Sequence, residues 1–201
     1  IITKISEIPN NLSDIDNWIE KKTLQSLRKL KVNHLYGLLL HDVNQLSLKK
    51  GPKIFEAMNN LKSKGIVKKI GISVYDPNDL ELFYHYFHFD LVQSPMNIID
   101  QRLVDKKIIK FLKKNNVEIH TRSIFLQGLF FMHKQELNKL FYPWKDIWKT
   151  WFSHLKKFDI SPLELCLFFQ SQFQEIDRVT IGINNLNQIK EIINLMKNLN
   201  Y

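Results

Sequence analysis

The sequence predicts an α/β fold built on a parallel sheet, and three observations predict it. Short apolar runs alternate with longer amphipathic stretches, six times over the 201 residues. Several runs are apolar without a break, as strands covered on both faces require. Glycine or proline marks several of the places where the longer stretches start or stop.

The first run is Ile1 to Lys4. An amphipathic stretch follows over about 16–30, with Ile19, Leu24, Leu27 and Leu30 near helical spacing. The second run, His34 to Leu40, is followed by a helix over 51–64 that should stop at Gly65. The third run is Lys69 to Val74, after which Asp76-Pro77 should open a helix reaching about Phe87. The fourth is Phe89 to Gln93, followed by a helix over 104–115, and the fifth is Val117 to Thr121. A long loop containing Gly128 and Pro143 precedes two helices, about 144–157 and 161–174; the second begins with Ser161 as N-cap and Pro162 behind it. The sixth run, Arg178 to Ile181, ends at Gly182 and a last helix closes the chain.

Composition narrows the function. At 44% hydrophobic residues the chain can bury one sizeable core, so residues 1–201 read as a single domain. The formal charge of +9 comes almost entirely from lysines scattered in short pairs such as Lys49-Lys50 and Lys113-Lys114; Arg occurs only at 28, 102, 122 and 178. That is a solvated surface and not a nucleic-acid stripe. The single cysteine, Cys166, sits in an apolar helical run and reads as a small core residue; a disulfide framework is impossible and a reducing compartment, the cytoplasm, is expected. No apolar stretch reaches membrane-spanning length, and no membrane partner is expected. His85 and His88 suggest no third ligand, and neither Cys-x-x-Cys nor His-Glu-x-x-His occurs, so no metal is expected. A Gly-x-Ser-x-Gly elbow and a Gly-rich dinucleotide loop are also absent. Trp144, Trp148, Trp151 and Phe152 recur at helical spacing, which favours a core stripe over a substrate wall.

Chemistry concentrates at the C-terminal ends of the strands, the functional edge of parallel α/β barrels. The residues there are Lys4, His41, Ser73, Gln93, Arg122 with Ser123, and Gly182. Each alone has an ordinary reading: a surface lysine, a capping histidine, a turn serine, a glutamine satisfying loop backbone. Their coincidence on one edge points to a site.

These segments resemble the aldo-keto reductases. The resemblance is carried by Ile2-Thr-Lys4, by Leu24-Gln-Ser-Leu27 with Leu30, and by Leu38-Leu-Leu-His41. Gly65-Ile-Val-Lys-Lys-Ile-Gly-Ile-Ser73 is its most specific part. Gln93-Ser-Pro-Met-Asn97 with Asp100 and Arg102, Ser123-Ile-Phe-Leu-Gln-Gly-Leu129, and Thr180-Ile-Gly182 with Gln188 and Glu191 continue it to the last helix. The resemblance implies a parallel (β/α)8 TIM barrel, incomplete here with six of eight β/α units, running from the family's third strand to its end. The family's aspartate and tyrosine would precede Ile1, so the chain reads as a fragment that is inactive alone.

The resemblance also implies roles. The full-length protein would reduce an aldehyde or ketone to an alcohol, reversibly, by hydride transfer from NAD(P)H, with NADP(H) expected ahead of NAD(H) and a small carbonyl compound as substrate. Lys4 and His41 would be catalytic: Lys4 by favouring the phenolate of a tyrosine, His41 by hydrogen-bonding the substrate carbonyl. Ser73 and Gln93 would hold the nicotinamide carboxamide. Ser123, Phe125 and Gln127 would follow the diphosphate, and Gly182, Asn184, Asn185, Gln188 and Glu191 would surround the adenosine end. Val74 replaces a common Asn, and Arg122 stands near a common aromatic. Two other readings remain open: a non-catalytic, cofactor-binding barrel subunit, and a Schiff-base aldolase-type barrel using Lys4.

Overall fold

The apolar runs form strands and most of the stretches between them form helices. The computed structural model describes residues 1–104 and 106–198; positions 105 and 199–201, which include part of the expected 104–115 helix and the end of the last one, lie outside the described residues. The elements are β1 (Ile2–Ile5), α1 (Ile15–Leu30), β2 (Leu35–Leu40), α2 (Gly51–Ser63), β3 (Val67–Ser73), α3 (Asp79–Tyr86) and β4 (Leu91–Pro95), followed by α4 (Lys106–Lys114), β5 (Glu118–Arg122), α5 (Lys134–Leu140), α6 (Lys145–Phe158), α7 (Pro162–Ser171), β6 (Arg178–Val179) and α8 (Leu186–Asn198). The chain divides into two units, one of residues 1–95 and 102–120, the other of 96–101 and 121–201.

In the first unit β1, β2, β3 and β4 pair in parallel in sequence order. β5 joins at its start, where Glu118 N donates to Asp90 O at 2.9 Å. Leu38, Leu39 and Leu40 are buried on both faces of β2, as an uninterrupted apolar run requires. α1 buries Ile15, Ile19, Thr23 and Leu27, one residue per turn on a single stripe. Its N-cap is Asp14, whose carboxylate accepts from Asn17 N at 3.0 Å. Leu30, expected on that stripe, is exposed. α2 buries Ile54, Ala57, Met58 and Leu61, and Gly65 follows it with φ +71°, the left-handed turn expected there. α3 begins three residues later than expected, because Asp76 and Pro77 form a turn first, closed by Asn78 N on Asp76 Oδ1 at 3.0 Å.

In the second unit the end of β5 is held on both sides: Met96 N donates to Arg122 O at 3.1 Å, and Thr180 N donates to Thr121 O at 2.8 Å. Gln170, buried on α7, ties the same region by accepting from Thr121 Oγ1 and donating to Met96 O, both at 3.0 Å. α7 starts on a complete capping box: Ser161 Oγ accepts from Glu164 N at 3.2 Å and Glu164 accepts from Ser161 N at 2.9 Å. Phe130, Leu137, Trp148, Trp151 and Cys166 form one buried cluster, with the Trp151 and Phe130 rings 4.6 Å apart. Trp148 and Trp151 are therefore core, as their spacing suggested, while Trp144 is exposed. The expected long loop holds a helix, α5, opened by a second capping box between His133 and Glu136. Sequence periodicity misses it because Lys134–Leu140 offers Leu137 as its buried apolar anchor and is otherwise mainly polar.

Candidate functional site

Register decides which strand-end residues of the first unit share a face. Lys4 lies opposite Leu39, Leu39 opposite Gly71, and Gly71 opposite Leu91. One step further, Leu40 is opposite Ile72, so His41 follows at the level of Ser73, which is opposite Gln93. Side chains alternate faces along a strand. Lys4, His41, Ser73 and Gln93 therefore leave the same face at the C-terminal ends of β1 to β4. Lys4 and His41 are exposed, whereas Ser73 and Gln93 are buried.

This edge is fixed from several directions. His41 N donates to Ile5 O at 3.1 Å, and Val74 N donates to Gln93 O at 2.9 Å. The Gln45 amide clamps the loop after β1 by accepting from Ile8 N at 3.1 Å and donating to Ile8 O at 3.0 Å. Gly71 has a specific reason to be glycine: a Cβ there would stand 2.1 Å from Leu91 O. That close approach underlies the Gly-Ile-Ser part of the strongest motif.

A polar cluster, which sequence reasoning did not single out, joins side chains of β2, β3 and β5. Glu118 accepts from Tyr36 Oη at 2.7 Å, pairs with Lys69, and bonds His120 Nε2 at 2.8 Å. Burial alone would raise the Glu118 carboxyl, but the bonds from Lys69, His120 and Tyr36 outweigh it and hold the carboxyl at about 2. Burial works against the Lys69 ammonium, yet its bonds to Glu118 and Tyr36 raise it. Lys69 is four residues before Ser73, about 13 Å along the strand. The Lys69–Glu118 pair is a part-buried ionic anchor, formed near the starts of β3 and β5. A run of alternating polar residues in β5, Glu118 and His120, was the available signal.

The second unit gathers most of the remaining predicted residues. Ser123, Phe125, Gln127, Gly182, Asn184, Gln188 and Glu191 all line one cavity of about 510 Å³. The loop after β5 that forms one wall is unusual in its backbone: Ser123, Leu126, Gln127 and Gly128 have φ of 59°, 46°, 54° and 92°. Non-glycine residues in this region cost about 1–2 kcal/mol each and cluster at ligand-contacting loops. The loop is buttressed by Asn97, buried, whose Nδ2 donates to Ser123 O at 3.2 Å while its Oδ1 accepts from Ile99 N and Asp100 N. Asn97 stood in the motif without an assigned role. Arg122 Nη1 donates to Ser123 Oγ at 3.2 Å, which brings a cation to that wall. Asn185 lies outside the lining; it caps α8, its Oδ1 accepting from Gln188 N at 3.0 Å.

A larger cavity of about 710 Å³ lies in the same unit, lined by residues such as Ile99, Ile147, Trp151, His154, Phe158 and Phe168. It contains none of the predicted residues and is mainly apolar, so size alone does not make it the functional site. Cys166 is no nucleophile candidate: burial pushes its thiol up to about 12. No described helix is long and apolar enough to cross a membrane.

A parallel α/β chain with polar strand ends on one face and a loop-walled cavity after its later strands has the layout of a barrel enzyme. The comparisons resolve which kind. A model of the aldo/keto reductase family matches residues 1–201, and the chain belongs to that family. Among solved structures it is similar to the aldo-keto reductase AKR11C1 of Bacillus halodurans in its holo form, at 17% identity and a TM-score of 0.72, covering 98% of this chain and 65% of that one. The apo form of the same protein gives 18% identity, a TM-score of 0.67 and the same coverages, 98% and 65%. The thermostable aldo-keto reductase Tm1743, solved with the inhibitor epalrestat, gives 14% and 0.66, covering 90% of this chain and 61% of that one. The chain thus spans about 65% of the length of AKR11C1. Its fold is of the (β/α)8 barrel type, represented by six β/α units, as expected from the sequence. A comparison with curated proteins returned no match.

Proposed function

We propose that this protein is an oxidoreductase that converts an aldehyde or ketone to an alcohol, reversibly, using a nicotinamide dinucleotide. The observation that carries this reading is the 510 Å³ cavity, whose lining includes seven residues to which the family resemblance gives cofactor-binding roles. Its walls suit a diphosphate and an adenosine: amide side chains at Gln127, Asn184 and Gln188, a glycine at 182 with open space beside it, and apolar patches from Phe125 and Ile192. When bound, the reduced dinucleotide supplies a hydride to the carbonyl carbon. His41 donates a hydrogen bond to the carbonyl oxygen and orients it. Lys4 contributes a fixed positive charge that favours the deprotonated form of a neighbouring proton donor. Ser73 and Gln93 present polar groups from a buried strand edge to a carboxamide. Both NADP(H), which the family resemblance favours, and NAD(H) fit this scheme.

Gly182→Trp tests the reading. The glycine has no heavy atom near its would-be side chain, so an indole can enter the cavity without displacing the core. We expect NADH and NADPH binding, followed by nicotinamide fluorescence, to weaken more than tenfold with the melting temperature unchanged. Unaltered binding would refute the assignment of the cavity. Binding without turnover of any aldehyde by the intact protein would instead favour a non-catalytic cofactor-binding subunit.

A further inference from the structure

The larger cavity, of about 710 Å³, shares no lining residue with the 510 Å³ cavity and has a chemistry of its own. It is formed by α6 and α7 together with Ile98 and Ile99. Much of its apolar surface comes from Phe158, Phe168 and Phe169, with Ile147 and Leu165 beside them. Phe158 is 61% and Phe168 47% exposed, so the fold leaves aromatic surface here in water.

The polar side of the cavity is a stripe on α6 that accepts hydrogen bonds and has little left to donate. Asp146, Thr150 and His154 follow at every fourth residue, about 6 Å apart along the helix. The Asp146 carboxylate is exposed and has no partner among the described residues. The Thr150 hydroxyl donates to Asp146 O at 3.0 Å, so its lone pairs are what remains. His154 Nδ1 lies 2.8 Å from Thr150 O; a carbonyl only accepts, so that nitrogen carries the proton and Nε2 of the neutral ring is an acceptor. The Trp151 N–H is buried and adds no accessible donor. Asp146 is also the one formally charged residue of the lining: Lys145, Lys149, Lys156 and Lys157 of the same helix are exposed but do not line it.

Aromatic walls edged by acceptors and a single carboxylate suit an ammonium carried on an apolar body. An ammonium has only donors, and both a carboxylate and the face of an aromatic ring attract it. An anionic ligand would meet acceptors and a like charge. We propose that this cavity binds a small hydrophobic amine, its ammonium at Asp146 and its apolar body against Ile147 and the α7 phenylalanines, Phe168 and Phe169.

The test is calorimetric binding of phenylbutylamine, and of phenylbutyramide and phenylbutyrate as its neutral and anionic counterparts. Each is titrated into the protein and into Asp146→Asn and Phe168→Ala variants, whose substituted side chains are exposed, with thermal melts to confirm folding. The amine is expected to bind at least about fivefold tighter than the amide, and the carboxylate most weakly. Asp146→Asn should remove the amine's advantage and leave the amide unchanged, while Phe168→Ala should weaken both alike. Equal binding of amine and amide, tighter binding of the carboxylate, an advantage that survives Asp146→Asn, or no binding of the amine would each overturn the proposal.

Discussion

Glu118→Gln should cost about 2–3 kcal/mol at neutral pH, and that cost should vanish in acid. The carboxyl is held at about 2 in the fold against an ordinary value of 4.5. At about 1.4 kcal/mol per tenfold change in proton affinity, the charged state contributes about 3 kcal/mol to folding. Lys69 keeps 28% of its side chain in solvent, which screens part of the pairing, and the amide retains an acceptor, so the lower end applies. Because the folded carboxyl titrates below the unfolded one, its stabilisation is complete above about pH 4.5 and is lost as pH falls from there towards 2. Urea unfolding of both proteins between pH 7 and pH 3 measures the gap; other carboxylates titrate alike in both and cancel. Replacing Lys69 and Glu118 together by Met should cost less than Glu118→Gln alone, since it leaves no buried charge unpaired. A gap under about 0.5 kcal/mol at pH 7, or one that persists unchanged at pH 3, would refute this account of the cluster.

Other consequences are equally direct. Gly71→Ala must push β3 from β4, because the new Cβ would meet Leu91 O at 2.1 Å and Leu39 Cδ2 at 2.7 Å; a loss of about 3 kcal/mol or more in chemical denaturation is expected, and a near-neutral result would be incompatible with the register. Gln170→Leu strands the Thr121 hydroxyl and the Met96 carbonyl in a buried site, at a cost of about 2–4 kcal/mol by the same assay. Gln127→Gly relieves a left-handed residue (φ 54°, ψ 32°), so stability should rise by about 0.5–1 kcal/mol after the extra unfolded-state entropy of glycine, while calorimetry should show weaker dinucleotide binding. A fall in stability there would show that the loop is not strained.

How far the sequence could be read depends on what each feature rests on. The strands were legible because burial on both faces forces unbroken apolar composition: each observed strand lies within two residues of its predicted run at either end. α5 was not legible, because a helix anchored through Leu137 leaves almost no periodic trace. At the site, residue type and strand-end position were enough to nominate Lys4, His41, Ser73 and Gln93, but not to show that they leave one face; that follows from register, which depends on partners distant in sequence. Seven residues of the 510 Å³ cavity were named from the family resemblance, as was Asn185, whereas the roles of Asn97 in fixing Ser123 and of Asn185 in capping α8 from outside the lining come from hydrogen bonds. The Glu118 anchor is the extreme case. Tyr36, Lys69 and Glu118 lie up to 82 residues apart, and each by itself is an ordinary polar residue near a strand start. Composition marks what must be buried, while the identity of a buried charge's partner is a property of topology.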